Sequence, residues 1–296
     1  MMVKPPFALG SAVFGAGKPV LVGSLFYKAD RKVLDHKRGE VNRNVLTREL
    51  RAVEILKERV GLDHAIDIIA ETPKAMESYL AILAEYTEDP LLIGGLNEET
   101  RMAGYRKAKE MGIQGRCGVN SVAPATSEEE LVSINESRIK FAVLQTLDPS
   151  AVYPEEKLSL LKGGLLCKCE KAGIDRAVVD VGIIDFTSAW LAAESIKRIK
   201  AELGIPAGCA PSNAAYQPLG TEKITRKSAR SMNVALNTVI QLAGADFIIY
   251  GPLKASTYVF EAAAVVEGIK AYGARLGGEK MMDRSHPLFK FLPKLM

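Results

Sequence analysis

The chain has 296 residues, 48% hydrophobic and 25% charged, the balance of an ordinary globular protein and enough length for one large barrel or two ordinary domains. Its 39 Lys and Arg against 35 Asp and Glu leave a net charge of +4, with the basic residues scattered and no aromatic ladder among them, which excludes a nucleic-acid surface. No apolar run is long enough to span a membrane, and the N-terminal MMVKPP lacks signal-peptide character, so a cytoplasmic protein without membrane insertion is expected.

A single rhythm runs along the chain. A short apolar run rich in β-formers ends in Gly, Asn, Asp or Pro, and a longer amphipathic stretch follows. Strands are expected at 19–27, 64–70, 90–94, 116–121, 139–146, 176–181, 206–209 and 245–250. Helices are expected at 45–60, from 73, at 98–111, from 127, at 165–172, 189–203, 228–243 and 258–272. Pro73 suits a first helical turn, and Ser127 with Glu130 three residues later reads as a capping box. Gly163-Gly164 reads as part of a long connection before the helix at 165–172.

Eight strand–helix units in this length predict an α/β fold, a (β/α)8 barrel spanning 1–296. Residues 1–18 form an N-terminal extension, with a small hairpin plugging the barrel's N-terminal mouth. A tail, 279–296, packs Phe289, Phe291 and Leu292 on the outside or on a second subunit. The open doubly wound sheet is the rival fold, but it wants a glycine fingerprint after an early strand, and Gly10 and Gly15 are followed by Ala16, not Lys.

Four Cys (117, 167, 169, 209) and three His (36, 64, 286) form no disulfide framework and no metal-binding pair, so no protein-bound metal is expected. In such a barrel the chemistry sits at the C-terminal strand ends. There the sequence places Asp67 and Glu71 on strand two, Asn97 after strand three, Asn120 and Ser121 on strand four, Gln145 and Asp148 on strand five, and Asp180 and Asp185 on strand six. Ser212 and Asn213 follow strand seven, and Tyr250 lies on strand eight. Carboxylates and amides dominate, while His and Cys nucleophiles are missing and Lys254 is the one Lys near the mouth. Acid–base chemistry through His and Schiff-base chemistry are disfavoured. Such groups suit reading the donor–acceptor edge of a heterocycle. For Asp67 and Asp180 the plainer alternative is a carboxylate neutralised by a structural Arg or by backbone amides; for Glu71 it is a helix cap, and for Asn120 and Asn213 a turn.

Five segments, VGSLFY at 22–27, DIIAETP at 67–73, GVNS at 118–121, AGCAPSN at 207–213 and GADFIIYGP at 244–252, resemble the family of the H subunit of tetrahydromethanopterin S-methyltransferase and its stand-alone relatives, over about residues 18–268. More distantly the pattern is similar to the pterin-binding barrels, dihydropteroate synthase and the methyltetrahydrofolate:corrinoid methyltransferases. The resemblance implies a methyltransferase moving a methyl group between methylcobalamin, carried by a small corrinoid protein, and N5 of tetrahydrofolate or tetrahydromethanopterin. It also implies a homodimer. Asn120 and Asp180 then bind the pterin and Asn213 stands near its N5, so that Asn213 and Asp180 are the catalytic candidates. Asp67, Glu71, Asn97, Asn120 and Gln145 complete the pterin-binding set.

The pterin methyltransferases carry a carboxylate where this chain has Gly94. Either Asp67 or Glu71 supplies it, or the pterin sits differently, or the substrate differs. The loops 28–43 and 213–226 are candidates for partner docking. Three alternatives remain, a plain metabolic barrel with Asp67, Glu71 and Asp180 as a divalent metal site, a non-catalytic subunit that docks a corrinoid protein, and another pterin-barrel enzyme of the dihydropteroate synthase type. The last wants basic residues after strands seven and eight, which are not evident, with Lys223 or Lys227 the positions that could be proposed.

Overall fold

Eight parallel strands close into a barrel in the computed structural model, which describes residues 2–220, 224–280 and 283–295. They are β1 (Val20–Leu25), β2 (His64–Ala70), β3 (Leu91–Gly95), β4 (Cys117–Val122), β5 (Phe141–Gln145), β6 (Arg176–Asp180), β7 (Ala207–Cys209) and β8 (Phe247–Pro252). Each pairs with its neighbours in sequence, and β8 returns to β1. Helices alternate with the strands, as in a (β/α)8 barrel.

The period of two along each strand sorts the side chains into two cores. One parity, with Val20, Val22, Ala65, Leu92, Phe141, Val143, Val178, Phe247 and Ile249, fills the lumen. The other parity packs outward beneath the helices. An antiparallel hairpin, Phe7–Leu9 against Ala12–Phe14, belongs to the lumen core. Its Phe14 and Phe7 rings lie 4.9 Å and 6.2 Å from that of Phe141. Asp63 accepts the Val13 N–H at 3.0 Å, and Arg176 donates to the Ala8 carbonyl at 2.7 Å. The hairpin is thus the plug expected at the N-terminal mouth, and each buried Phe contributes about 2–3 kcal/mol.

Local signals start the helices where expected. Asn42 caps Arg43–Val60, Thr72 with Pro73 starts Pro73–Tyr86, and Ser127 accepts the Glu130 N–H at 3.1 Å. The box at Ser127 is completed from elsewhere. Glu98 of the preceding helix takes the Ser127 N–H and hydroxyl, while the Glu130 carboxylate turns to Arg101 and Tyr105.

The connection expected around Gly163-Gly164 is instead helical. Pro154–Leu160, a π-turn at Leu161–Leu165 and Leu166–Lys171 run on as one element. Leu158, Leu161, Leu165 and Cys169, spaced three or four apart, all face the core, and this periodicity overrides two glycines on the outer side. Two elements went unread, a hairpin of Val33–Asp35 and Glu40–Val41 within the charged loop and the short helix Pro211–Tyr216. The tail folds back on its own chain, with Phe291 buried under Arg59 and Leu292 filling the space left by Gly268. Among the described residues no helix is long and apolar enough to cross a membrane.

Candidate active site

The parity that fills the lumen also assigns its polar end. Ser24, Asp67, Gly94, Gln145 and Asp180 lie an even number of residues beyond lumen-facing Val22, Ala65, Leu92, Val143 and Val178, at the C-terminal ends of their strands. Ser24, Asp67 and Asp180 are buried, at 6–7% exposure. The Ser24 hydroxyl donates to Asp67 Oδ2 at 3.1 Å, and the Asn120 amide donates to Asp67 Oδ1 at 2.9 Å. Ser24 and Asp67 are register partners across β1 and β2, as are Asp180 and Gln145 across β5 and β6.

Gly94 lies between the strands that Asn120 and Asp67 join. A Cβ there would stand 2.9 Å from the Ile68 carbonyl, 3.1 Å from Asp67 Oδ1 and 3.4 Å from the Asn120 carbonyl. Glycine at this position therefore gives the Asp67 carboxylate the room that a side chain on β3 would take.

Burial dominates the electrostatics. It pushes the Asp180 carboxyl up to about 6, opposed by the Gly182 N–H that it accepts at 2.8 Å and by the Lys157 ammonium, and reinforced by Asp67. Asp67 also rises through burial, partly offset by the bonds from Asn120 and Ser24. Lys157 is itself buried, its ammonium held by the carbonyls of Thr146 (3.2 Å) and Ala151 (2.8 Å). Sequence reading missed this counter-charge, because Lys157 lies in a helix with nothing in its neighbourhood to mark it. The carboxylate that costs most to ionise is thus the one with unused acceptor capacity in the lumen.

Several sequence candidates stand outside this ring. Asn97 is exposed and caps the helix Glu98–Glu110, accepting the Thr100 N–H at 2.9 Å. Glu71 faces His36 at 3.8 Å. Asp148 and Asp185 accept N–H groups of their own turns, from Ser150 and Ser188. Tyr250 points outward, its hydroxyl 3.1 Å from His64 Nε2.

Asn213 lies in the helix Pro211–Tyr216, exposed, and lines a cavity of about 620 Å³ beside the ring. This cavity sits above β1, β7 and β8. Ser24 and Ile69 line it, so Ser24 belongs to both cavity and ring, whereas Asp67, Asn120 and Asp180 do not line it. Its upper walls carry Tyr27, Arg31, Tyr216, Arg226, Arg230, Lys254 and Tyr258. Basic residues after strands seven and eight are therefore present, as Arg226, Arg230 and Lys254. Lys227 does not line the cavity, and Lys223 lies outside the described residues. Arg226 and Arg230 escaped notice because they lie one helical turn apart on a helix, well beyond strand seven.

Ring, plug and cavity are built on a closed (β/α)8 barrel. Dihydropteroate synthases share this architecture. The Xanthomonas albilineans enzyme in complex with 7,8-dihydropteroate superposes with a TM-score of 0.62 at 16% identity, covering 89% of this chain and 97% of that one. The Yersinia pestis enzyme with a pterine-sulfa conjugate gives a TM-score of 0.66 at 13% identity, covering 90% and 98%. These likenesses concern the fold.

Sequence places the chain more narrowly. The family model of the tetrahydromethanopterin S-methyltransferase MtrH subunit matches residues 10–281, and the chain belongs to that family. The H subunit of tetrahydromethanopterin S-methyltransferase from Methanothermobacter thermautotrophicus is 28% identical over 285 residues, 92% of this chain and 91% of that protein. The Methanosarcina acetivorans H subunit is 27% identical over 303 residues, 95% and 96% of the two chains.

Proposed function

We propose that this protein moves a methyl group between a corrinoid carried by a partner protein and N5 of a tetrahydropterin, with tetrahydrofolate as the first candidate and tetrahydromethanopterin as the second. The observation that carries the reading is the Ser24–Asp67–Asn120 hydrogen-bonded set with Asp180 beside it at the C-terminal end of the lumen, opening onto the cavity that holds Asn213.

The pyrimidine edge of a pterin presents adjacent N–H donors, and the free acceptor positions of Asp180 suit them. Asn120 and Asp67 hold each other in place and face the remaining ring heteroatoms. Gln145, beside Asp180 in register, adds a further amide. Of the two candidates for the carboxylate missing at Gly94, the contacts favour Asp67, since Glu71 turns to His36.

Asn213 is assigned to N5. Its amide accepts from the N5 proton or donates to the N5 lone pair without changing its own charge, and so holds that atom in line for substitution. When bound, the corrinoid supplies the cobalt–carbon bond that is broken or made. The chain's part is to orient the ring, keep the pyrimidine edge out of water, and let the N5 proton leave to solvent through the open cavity. Leu96 after β3, and Ile184, Phe186 and Trp190 after β6, are exposed apolar side chains that the partner could cover.

Anaerobic mixing with methylcobalamin and each tetrahydropterin tests the reading. Loss of methylcobalamin absorbance matched by N5-methylation of one pterin is expected. Inactivity with both pterins, even when a methylated corrinoid protein is the donor, overturns it.

A further inference from the structure

Arg31, Arg226, Arg230 and Lys254 converge on one cavity that no carboxylate lines among the described residues. Among the described residues none of the four makes an ion pair. Two other cations, after strands one and five, are instead held in place by close partners. Lys32 is held between Asp30 (2.8 Å) and Glu49 (2.9 Å), and Lys157 by two carbonyls. Gathering four like charges around one hollow, with no counter-charge among the described residues, is unfavourable, and it is relieved when an anion enters.

The wall that carries Arg230 is braced. Its guanidinium lies 5.7 Å from the centre of the Tyr258 ring, the Tyr258 and Tyr216 hydroxyls are 2.5 Å apart, and Asn233 donates to Tyr216 at 3.3 Å and to the Tyr250 carbonyl at 3.1 Å. A guanidinium held in this way offers a fork suited to carboxylate or phosphate oxygens.

We propose that this cationic quartet is a subsite for the acidic tail of the tetrahydropterin, an inference that rests on the pterin reading above. The link is chemical. A folate-like pterin bears its tail on C6, the ring atom next to N5. With Asn213 at N5, C6 faces the same cavity, and the tail leaves the ring toward Arg226, Arg230 and Lys254. The pyrimidine edge, at the opposite end of the ring, then lies toward Asp180. Carboxylates of a glutamyl tail and phosphate of a longer tail share the chemistry that such a subsite recognises.

The test compares three ligands by equilibrium titration of the full chain, namely tail-less 6-methyltetrahydropterin, tetrahydrofolate with one glutamate, and tetrahydrofolate with three. In the wild type, affinity should rise across this series, and the gain over the tail-less ligand should shrink with added salt. The double variant R226Q/R230Q should bind both tailed ligands on the order of tenfold more weakly and the tail-less one as before. Retained tail-less binding also shows that the variant is folded. Tetrahydromethanopterin in a parallel titration separates a phosphate-bearing tail from a glutamyl one by the larger of the two losses.

Equal losses for all three ligands, or none, would overturn the subsite. So would an effect confined to the KM for a corrinoid protein, which would make the quartet a docking surface. Failure of the tail-less ligand to bind even the wild type would instead sink the pterin reading itself.

Discussion

The Asn120 amide reaches the Asp67 carboxylate at 2.9 Å across a strand whose residue at that level, Gly94, has no side chain. Two polar groups on β4 and β2 can meet because β3 contributes nothing between them. The polar end of the lumen is thus built partly from an omission.

That omission makes Gly94→Ala a sharp test. The added Cβ would press on the Ile68 carbonyl, which belongs to the barrel ladder and cannot swing aside, and on Asp67 Oδ1. Overpacking of this kind costs about 1–3 kcal/mol, so the denaturation midpoint should fall. Pterin affinity should fall further than stability alone explains, because Asp67 is displaced from Asn120. A variant of unchanged stability and unchanged affinity would show that the Asp67–Asn120 pair is not part of the binding surface.

On the proposed reading, Asp180 sets stability against function. Its folded pKa of about 6 lies above the ordinary 3.8. Between pH 4 and 6 the native state therefore holds a proton that the unfolded state has lost, and stability falls as pH rises through that window. The cost persists at neutral pH, and a shift of about two pH units corresponds to about 3 kcal/mol. Asp180→Asn removes this cost, offset in part because buried Lys157 loses its counter-charge. The variant should melt at higher temperature than the wild type at pH 7.5, with the difference vanishing near pH 4. Its pterin affinity should be lost at all pH values, while that of the wild type weakens as pH falls below 6. Calorimetry and ligand titration across pH 4–8 check both halves, and an Asp180→Asn protein that binds pterin normally would remove Asp180 from the site.

How much of this was readable in the sequence depended on what kind of signal carried it. The eight strands follow from short apolar runs closed by Gly, Asn, Asp or Pro, which the chain carries plainly, but buried on both faces these runs do not show parity, so Tyr250, which points outward, was placed with Asp67, Gln145 and Asp180. The hairpin plug was legible from short apolar runs as well. The Gly163-Gly164 turn was not, because local glycine signals competed with a helical stripe of core leucines, and packing decided the outcome. At the site, the Asp67–Asn120 bond joins residues 53 positions apart, and the cationic quartet gathers from segments after strands one, seven and eight, two of its members on the helix that starts at Arg226. Asn97 illustrates the opposite failure. A strand-end amide and a helix cap look identical in sequence, and only the Thr100 N–H tells them apart.

Asn213 should separate chemistry from binding. It is exposed, and its side chain makes no hydrogen bond among the described residues, so Asn213→Ala should leave the melting temperature within about 1 °C, as for surface substitutions generally. If its amide acts at N5, methyl transfer should slow on the order of 10²-fold, the usual cost of losing one transition-state hydrogen bond. Pterin affinity should change by no more than a few fold. Single-turnover rates and equilibrium titrations measure the two separately, and a loss that appears only as a raised KM would assign Asn213 to binding instead.

The buried charges at the other end of β2 should behave as scaffold. Asp89 accepts from Lys57 at 2.5 Å and lies 2.6 Å from His64 Nδ1, while His64 Nε2 meets the Tyr250 hydroxyl. Burial raises the Asp89 carboxyl, but His64 and Lys57 outweigh it and hold it below its ordinary value. A carboxyl depressed in the folded state contributes stability above its unfolded pKa and loses it as pH falls through the folded one, so this contribution should disappear below about pH 4. Asp89→Asn leaves Lys57 and His64 without their shared anion and should cost about 3–5 kcal/mol at neutral pH, the range for breaking a buried ion pair. It should also flatten the acid limb of the stability profile. Rates per folded molecule should match the wild type at temperatures where both are native, because β2 presents Asp67 to the lumen by the opposite parity. A variant that stays stable but loses pterin binding would mean that the His64–Tyr250 link on β8 transmits to the mouth, and that this network belongs to the site.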